Sequence, residues 1–445
     1  MSLTLLEQPT SPAPTNTDTA ASWLRDLQTS AAERLALCPV PGRTDEAWRF
    51  ANLRHLERLE QFHPAAASHP GAEDDEYEPS DAALAAGRLL SQLSAIHIRF
   101  VNDRIDSPLK AAQLQLPQGV TCLPLKDALA SHGDLVRQHF MREANRAGSE
   151  RYALLHQAHL SRGLFLHLAD GVEINEPIII DHLIDGDNLA IYPHLLVVAG
   201  RNSKVTVVEG LRSSTANDTG FALGVCDLVA GAGSHLTYLQ LQQLNGSSFA
   251  MQLNSGIAHR DAHVTTGFLN LGAKWVRQVS TTRLLEAGAD SRMISASVGQ
   301  DSQEIDQRTL QSHEAPHTTS DLLYKNVLDD KARSIFAGLI QVREGAHHTD
   351  AYQKCRNLLL SDSAEANSMP GLEINADQVK CSHGATAGTI DAEQLFYLAS
   401  RGLHTAAAEH LIALGFAAET LDPLVNESLK QALIEEIDQA LLHQA

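Results

Sequence analysis

The chain has 445 residues, 43% of them hydrophobic, and a net charge of −20. That length can bury two or three domain cores, and the acid excess argues against nucleic acid and against an anionic membrane surface, both of which need basic patches. No apolar run reaches the roughly 18 residues of a membrane span, no basic-then-apolar leader opens the chain, and five scattered cysteines (Cys38, Cys122, Cys226, Cys355, Cys381) suit a reducing cytoplasm rather than a disulfide framework.

The first twenty residues, rich in Pro, Thr and Ser, read as a disordered arm. Apolar residues at three-to-four spacing predict helix across 19–62, broken at "CPVPGRTDEAWRF", where Thr44 is positioned to cap the second segment. "HPAAASHPGAEDDEYEPSD" reads as an acidic linker, "AIHIRFVND" as a strand, and "QHFMREANRAGSERYALLHQAHL" as helix. Residues 1–160 are thus expected to form a mainly helical N-terminal domain.

From Gly163 onward the texture is Val, Ile, Leu and Thr strands separated by small-residue turns, with no helical pattern between them. Gly200-Arg-Asn-Ser-Lys-Val, Gly231-Ala-Gly-Ser-His-Leu, Arg260-Asp-Ala-His-Val and Gly288-Ala-Asp-Ser-Arg-Met share one shape, and their starts lie 31, 29 and 28 residues apart. A strand-only repeat of that length predicts a parallel β-helix over 161–388, with a β-sandwich as the alternative. An open last coil would expose strand edges, so the terminal helices are expected to cover both ends. Asp391 caps "DAEQLFYLASRG", with Gln394 in capping-box position. Thr405 caps "TAAAEHLIALG", and Asp422-Pro423 opens the last helix. Residues 389–445 form the C-terminal helical domain of this reading.

Two motifs could carry chemistry. "HEAPH" at 313–317 matches a zinc-protease pattern, but Pro316 inside the proposed turn opposes the helix that the motif requires, so a loop between strands is expected. His347-His348 reads as a surface turn. In "VKCSHGATAGTID", a strand would turn Cys381 and His383 to one side. A thiolate and an imidazole there can hold iron or sulfur. Two ligands do not close a site, so Cys355 or a second chain must add more, and a buried Cys beside a hydrogen-bonded His is the alternative. No Walker A motif is present, so ATP hydrolysis would have to come from a partner.

The run "KCSHGATAGTIDAEQLFYLASRGL", then "LIALGF", strongly resembles the C-terminal signature of the SufB/SufD family, scaffold subunits of the SUF iron–sulfur cluster assembly system. "PHTTSDLLYKNVLDDKARSIFAGLIQV", "TDAYQKCRNLLLS", "PGLEINADQVKCSHGAT" and "PGRTDEAWRF" extend the match. Ser382-His383-Gly384-Ala385-Thr386 favours the SufD branch over the SufB branch, which has a Glu-His-Glu-Ala-Thr type sequence there. The resemblance implies a right-handed parallel β-helix between helical terminal domains, a heterodimer with a SufB-like paralogue, and one SufC-like ATPase docked on the C-terminal helices, with Leu395, Phe396, Arg401, Leu411 and Phe416 as candidate contacts. It also implies a homodimer when the chain is alone.

The same resemblance places His383 and its neighbour Cys381 where a transient cluster shared with the paralogue would form, with no tightly bound cofactor in the isolated chain. Cys355 is a further candidate ligand, at a position where the family often lacks cysteine. His347 and His348 depart from the family's Gln-containing turn. Two rival readings are a purely structural solenoid partner with no metal role and a carbohydrate-active β-helix enzyme. The latter would need a ladder of carboxylates along one face.

Overall fold

The computed structural model describes residues 16–65, 80–105, 116–144 and 146–442. The expected N-terminal arm up to residue 15 and most of the acidic linker lie outside the described residues. The early strands are His63–Pro64 (β1), Ile96–Val101 (β2), Arg104–Ile105 (β3), Val120–Pro124 (β4) and Leu164–Leu168 (β5). Then follow Ile178–Ile184 (β6), Leu189–Ile191 (β7), His194–Ala199 (β8), Lys204–Ser213 (β9), Gly220–Ala230 (β10), His235–Gln243 (β11), Phe249–Ala258 (β12) and His263–Asn270 (β13). The run ends with Trp275–Leu284 (β14), Asp290–Gly299 (β15), Glu304–His313 (β16), Thr319–Leu328 (β17), Arg333–Val342 (β18), Asp350–Leu359 (β19), Glu365–Ile374 (β20) and Lys380–Gly388 (β21).

Successive strands join alternate sheets. One sheet runs β4-β5-β8-β10-β12-β14-β16-β18-β20, and the other runs β3-β2-β6-β9-β11-β13-β15-β17-β19-β21. From β8 and β6 onward the ladders are parallel. This is the parallel β-solenoid that the repeat predicts. Lys204, His235, His263 and Asp290 open successive strands in register. Before each stands a left-handed residue, Asn202, Gly233, Asp261 or Gly288. Glycine and short polar side chains tolerate that conformation, which is why the repeat reads as small and polar.

Inside the solenoid the early coils are apolar, with Leu166, Ile178, Leu195, Val197, Val205 and Val207 packed together. Deeper coils are polar: Gln252, Gln278 and Gln307 stack in register, and Asn326 donates to Asn357 at 2.8 Å.

The N-terminal helices Asn16–Leu37 (α1), Arg54–Leu59 (α2), Asp81–Ala85 (α3), Leu125–Ser131 (α4), Gly133–His139 (α5) and Glu150–His159 (α6) replace the longer segments expected. Thr44 caps nothing: the turn Glu46–Trp48 is a single 3-10 turn with Asp45 at its N-cap. Trp48, Leu56, Phe62 and Tyr152 pack on Phe221, Phe249 and Trp275 of the first sheet's outer face.

The C-terminal helices are Ala392–Ser400 (α7), Thr405–Ala418 (α8) and Glu427–Leu442 (α9). Asp391 caps α7, accepting from the Glu393 amide at 2.8 Å. His404, not Thr405, is the N-cap of α8, and α9 starts beyond Pro423, where Asn426 accepts from the Leu429 amide at 3.0 Å. Ala413, Ala417, Leu429, Leu433 and Ile437 bury the outer face of the second sheet at Leu239, Leu241 and Ile294.

The two ends of the solenoid differ. At one end the ladders finish in β4 and β3, which pair antiparallel with β5 and β2. At the other they finish in β20 and β21, which keep the parallel pairing of the coil and are each paired on one side only. The C-terminal helices lie along the wall instead of over this end, so the cover expected of them is not found there.

Candidate functional site: the open last rung

The unpaired end is built from β18 to β21. On β19 Ala351, Gln353, Cys355 and Asn357 are buried, while Lys354 and Arg356 are exposed. The odd-numbered positions therefore face the lumen. Cys381 lies in register with Ala351, His383 with Gln353 and Ala385 with Cys355, so Cys381 and His383 share the lumenal face of the last rung. With no further coil above them, Cys381 is half-buried and His383 exposed.

The sequence predicts their shared face; the reason they are open to solvent is that β21 ends the ladder. Cys381 rests against Ile340, Val342, Ala346 and Val379. Burial, and then the nearby Asp350 carboxylate, raise its thiol above the usual range. A raised thiol is held in its protonated form at neutral pH, and binding a metal as thiolate must release that proton.

Cys355 sits one rung deeper, beneath Ala385, and is fully buried. Its sulfur has only weak polar neighbours: Asn357 Nδ2 at 3.8 Å, Asn326 Nδ2 at 3.9 Å and Ser368 Oγ at 4.0 Å. Desolvation pushes the thiol up to about 12. In this geometry it is a neutral core thiol facing the same lumen as the Cys381–His383 pair. Among the described residues, no group of three or more His, Cys, Asp or Glu side chains is placed to hold a metal ion. Cys381 and His383 share one face but are two side chains, too few to close a metal site by themselves.

Sequence reasoning missed the apolar lip of this mouth. Leu372 is 36% and Ile374 41% exposed, in register with the buried Ile340 and Val342 one coil below. The coil length is the signal that could have located them.

The "HEAPH" stretch is a strand end and a turn. His313 closes β16 and is fully buried between Thr318 Oγ1 at 2.8 Å and Ser320 Oγ at 2.9 Å; burial lowers it to about 4. Glu314 is held by Arg283 at 2.7 and 2.8 Å, and His317 stacks on His348 at 4.7 Å. The two histidines of the motif do not converge.

On the C-terminal helices the candidate contacts divide. The α7 helix has no buried residue: Leu395 and Leu398 are half-buried, while Phe396 is 76% exposed and Tyr397 57%. Phe396 faces solvent. Arg401 lies over Tyr397 at 5.3 Å. Leu411 is 48% exposed on α8, and Phe416 turns inward beneath the Lys325 ammonium at 4.5 Å.

A parallel β-solenoid walled by helices on both faces and presenting a Cys-x-His pair on its last rung defines the class. The family model described as "SUF system FeS cluster assembly, SufBD core domain" matches residues 182–416, and that of the "SufBD protein N-terminal region" matches residues 15–180. The chain belongs to the SufBD family. It is 27% identical to the iron–sulfur cluster assembly protein SufD of Bacillus subtilis, over 94% of each chain. It is 35% identical to SufD of Escherichia coli, over 60% of this chain and 64% of that one. A SufBD family protein of Synechocystis is 27% identical, over 93% of this chain and 90% of the relative.

Proposed function

We propose that this chain is a non-ATPase scaffold subunit of a cytoplasmic SUF complex, joined through its open end to a SufB-like paralogue, and that a nascent iron–sulfur cluster is assembled as cargo at that junction. The observation that supports this best is the last rung, where two unpaired strand edges, the apolar lip Leu372–Ile374 and the Cys381–His383 pair coincide. Strand edges join another chain by continuing the ladder, and the lip supplies apolar area for it to bury.

His383 supplies an imidazole to the cargo and Cys381 a thiol that receives sulfur or braces the site. The paralogue completes the donor set. A SufC-like ATPase docks on the exposed side of α7 and α8, whose Phe396, Tyr397 and Leu411 have no cover, and it supplies the nucleotide hydrolysis for which this chain has no motif. In the absence of the paralogue the same edges pair two copies of this chain.

The test is anaerobic reconstitution of the complete complex with iron and sulfide. His383→Ala should leave the complex assembled but lower its iron content and visible cluster absorption. Equal cluster content in the variant would leave this chain a purely structural partner.

A further inference from the structure

The segment "PGRTDEAWRF" is the part of the chain that the reading above leaves unused. It is held by three arginines of the solenoid through its backbone. Arg277 donates to the Ala47 carbonyl at 2.8 Å, Arg308 to the Arg49 carbonyl at 2.8 Å, and Arg333 to the Phe50 carbonyl at 2.6 Å. Glu304 also accepts from the Asn52 amide at 3.0 Å. The loop is therefore fixed by its main chain and by the buried Trp48, whose indole donates to the Gly148 carbonyl at 2.9 Å, while Arg43, Arg49 and Phe50 stay exposed.

Those side chains line a cavity of about 420 Å³ with Arg43, Arg49, Arg54, Arg333, Trp48 and Phe50 at its walls. That volume is within the usual range for small-molecule sites. Arg333 is shared with Glu304 at 3.5 Å and Glu365 at 3.7 Å. Arg43, Arg49 and Arg54 have no ion-pair partner among the described residues. In a chain with 54 acidic residues against 34 basic ones, three exposed guanidiniums without an ion-pair partner gather around one cavity and present a local positive field to an anion.

A second feature points the same way. Phe50 has φ +69°, a conformation that a bulky residue rarely adopts. Its ring is 39% exposed at the cavity, with the Arg49 guanidinium 5.1 Å from its centroid.

We propose that this cavity binds a nucleotide, with Arg43, Arg49 and Arg54 taking the phosphates and the base lying against Phe50. Guanidiniums bind phosphate oxygens in paired, charge-assisted contacts, and an aromatic ring stacks on any base. The site binds without hydrolysing, since nothing at the cavity resembles a phosphate-transfer motif.

Isothermal calorimetry on the full chain tests this, with ATP and inorganic tripolyphosphate as probes. ATP should bind saturably. Arg49→Ala/Arg54→Ala should weaken both probes by about tenfold or more. Phe50→Asn, which keeps a residue at ease with positive φ, should weaken ATP and leave tripolyphosphate unchanged. Unaltered melting temperatures establish that each variant folds. Arg43→Ala, on an exposed side chain, is the second variant should the double substitution fail to fold, and it should weaken both probes. No saturable ATP binding overturns the proposal, and so does binding indifferent to the arginines. ATP binding unchanged in Phe50→Asn, or both probes weakened equally, removes the nucleotide assignment. Binding of hexaglutamate in place of ATP would assign the cavity to an acidic protein tail instead.

Discussion

The guanidinium carbon of Arg277 stands 3.5 Å from the centre of the Trp48 ring, which places a residue of the first sheet directly under the N-terminal helical layer. Arg277 is fully buried. Burial lowers it to about 10, against the pull of Asp306. Asp306 ties Arg277 to Arg308, accepting from the latter at 2.6 Å. This one carboxylate compensates two buried cations, so Asp306→Asn should cost about 3–5 kcal/mol. Urea unfolding should show it as a fall in midpoint, and a loss below about 1 kcal/mol would mean that water reaches the cluster.

His383 is exposed and touches nothing large, so His383→Ala opens no cavity. In a strain lacking the native scaffold, the variant should assemble normally yet fail to restore iron–sulfur enzyme activity. Cys381→Ser should be less impaired, because the hydroxyl keeps the shape and a weak donor. Full rescue by His383→Ala would reduce the motif to a strand end.

Ile374→Lys places a charge on the apolar lip while leaving a half-exposed side chain with access to water. Copurification with the SufB-like paralogue should drop strongly, with the melting temperature of the lone chain within about 2 °C of the parent. Retained pairing would place the junction away from the open end.

The exposed side of the C-terminal helices is best tested by point substitution. Removing residues 404–445 would uncover Leu239, Leu241 and Ile294 on the second sheet, so loss of binding after that deletion would report unfolding as much as docking. Phe396→Asp with Leu411→Asp should abolish capture of the SufC-like ATPase and leave the circular dichroism spectrum unchanged. Undiminished capture would exclude this face.

His313 and the equally buried His156 are both lowered to about 4, chiefly by desolvation. Each binds its proton more readily unfolded than folded, so its contribution is complete above pH 6.5 and lost as pH falls through about 4. Asp103 and Asp227, raised to about 6 by burial, run the other way: their contribution is present at low pH and lost as pH rises through about 6. His313→Gln isolates one arm. The stability gap between parent and variant should shift by about 3 kcal/mol in the variant's favour between pH 7 and pH 4. Parallel curves from denaturant titrations across that range would refute this assignment.

The coil was legible because its turns demand left-handed residues every 28 to 31 positions, and small polar residues recur there. The Cys381–His383 face was legible because strand alternation is local. What was not legible depends on distance or on a missing surface. Arg277 and Asp306 lie 29 residues apart and meet only through the ladder register. The start of α9 was misplaced because Asn426 outcompetes Asp422 for the capping role once the chain has turned at Pro423. The polar lumen hid among residues that also suit a solvated strand face.

The difference between the two ends of the solenoid sets a valency. With β3 and β4 antiparallel to their neighbours at one end, only the other end keeps the coil's own parallel pairing and offers edges that a like coil can continue, whereas a coil with such edges at both ends would polymerise without limit. Joining through like ends uses up that site on both chains, so the product is a closed pair and the addition stops at two.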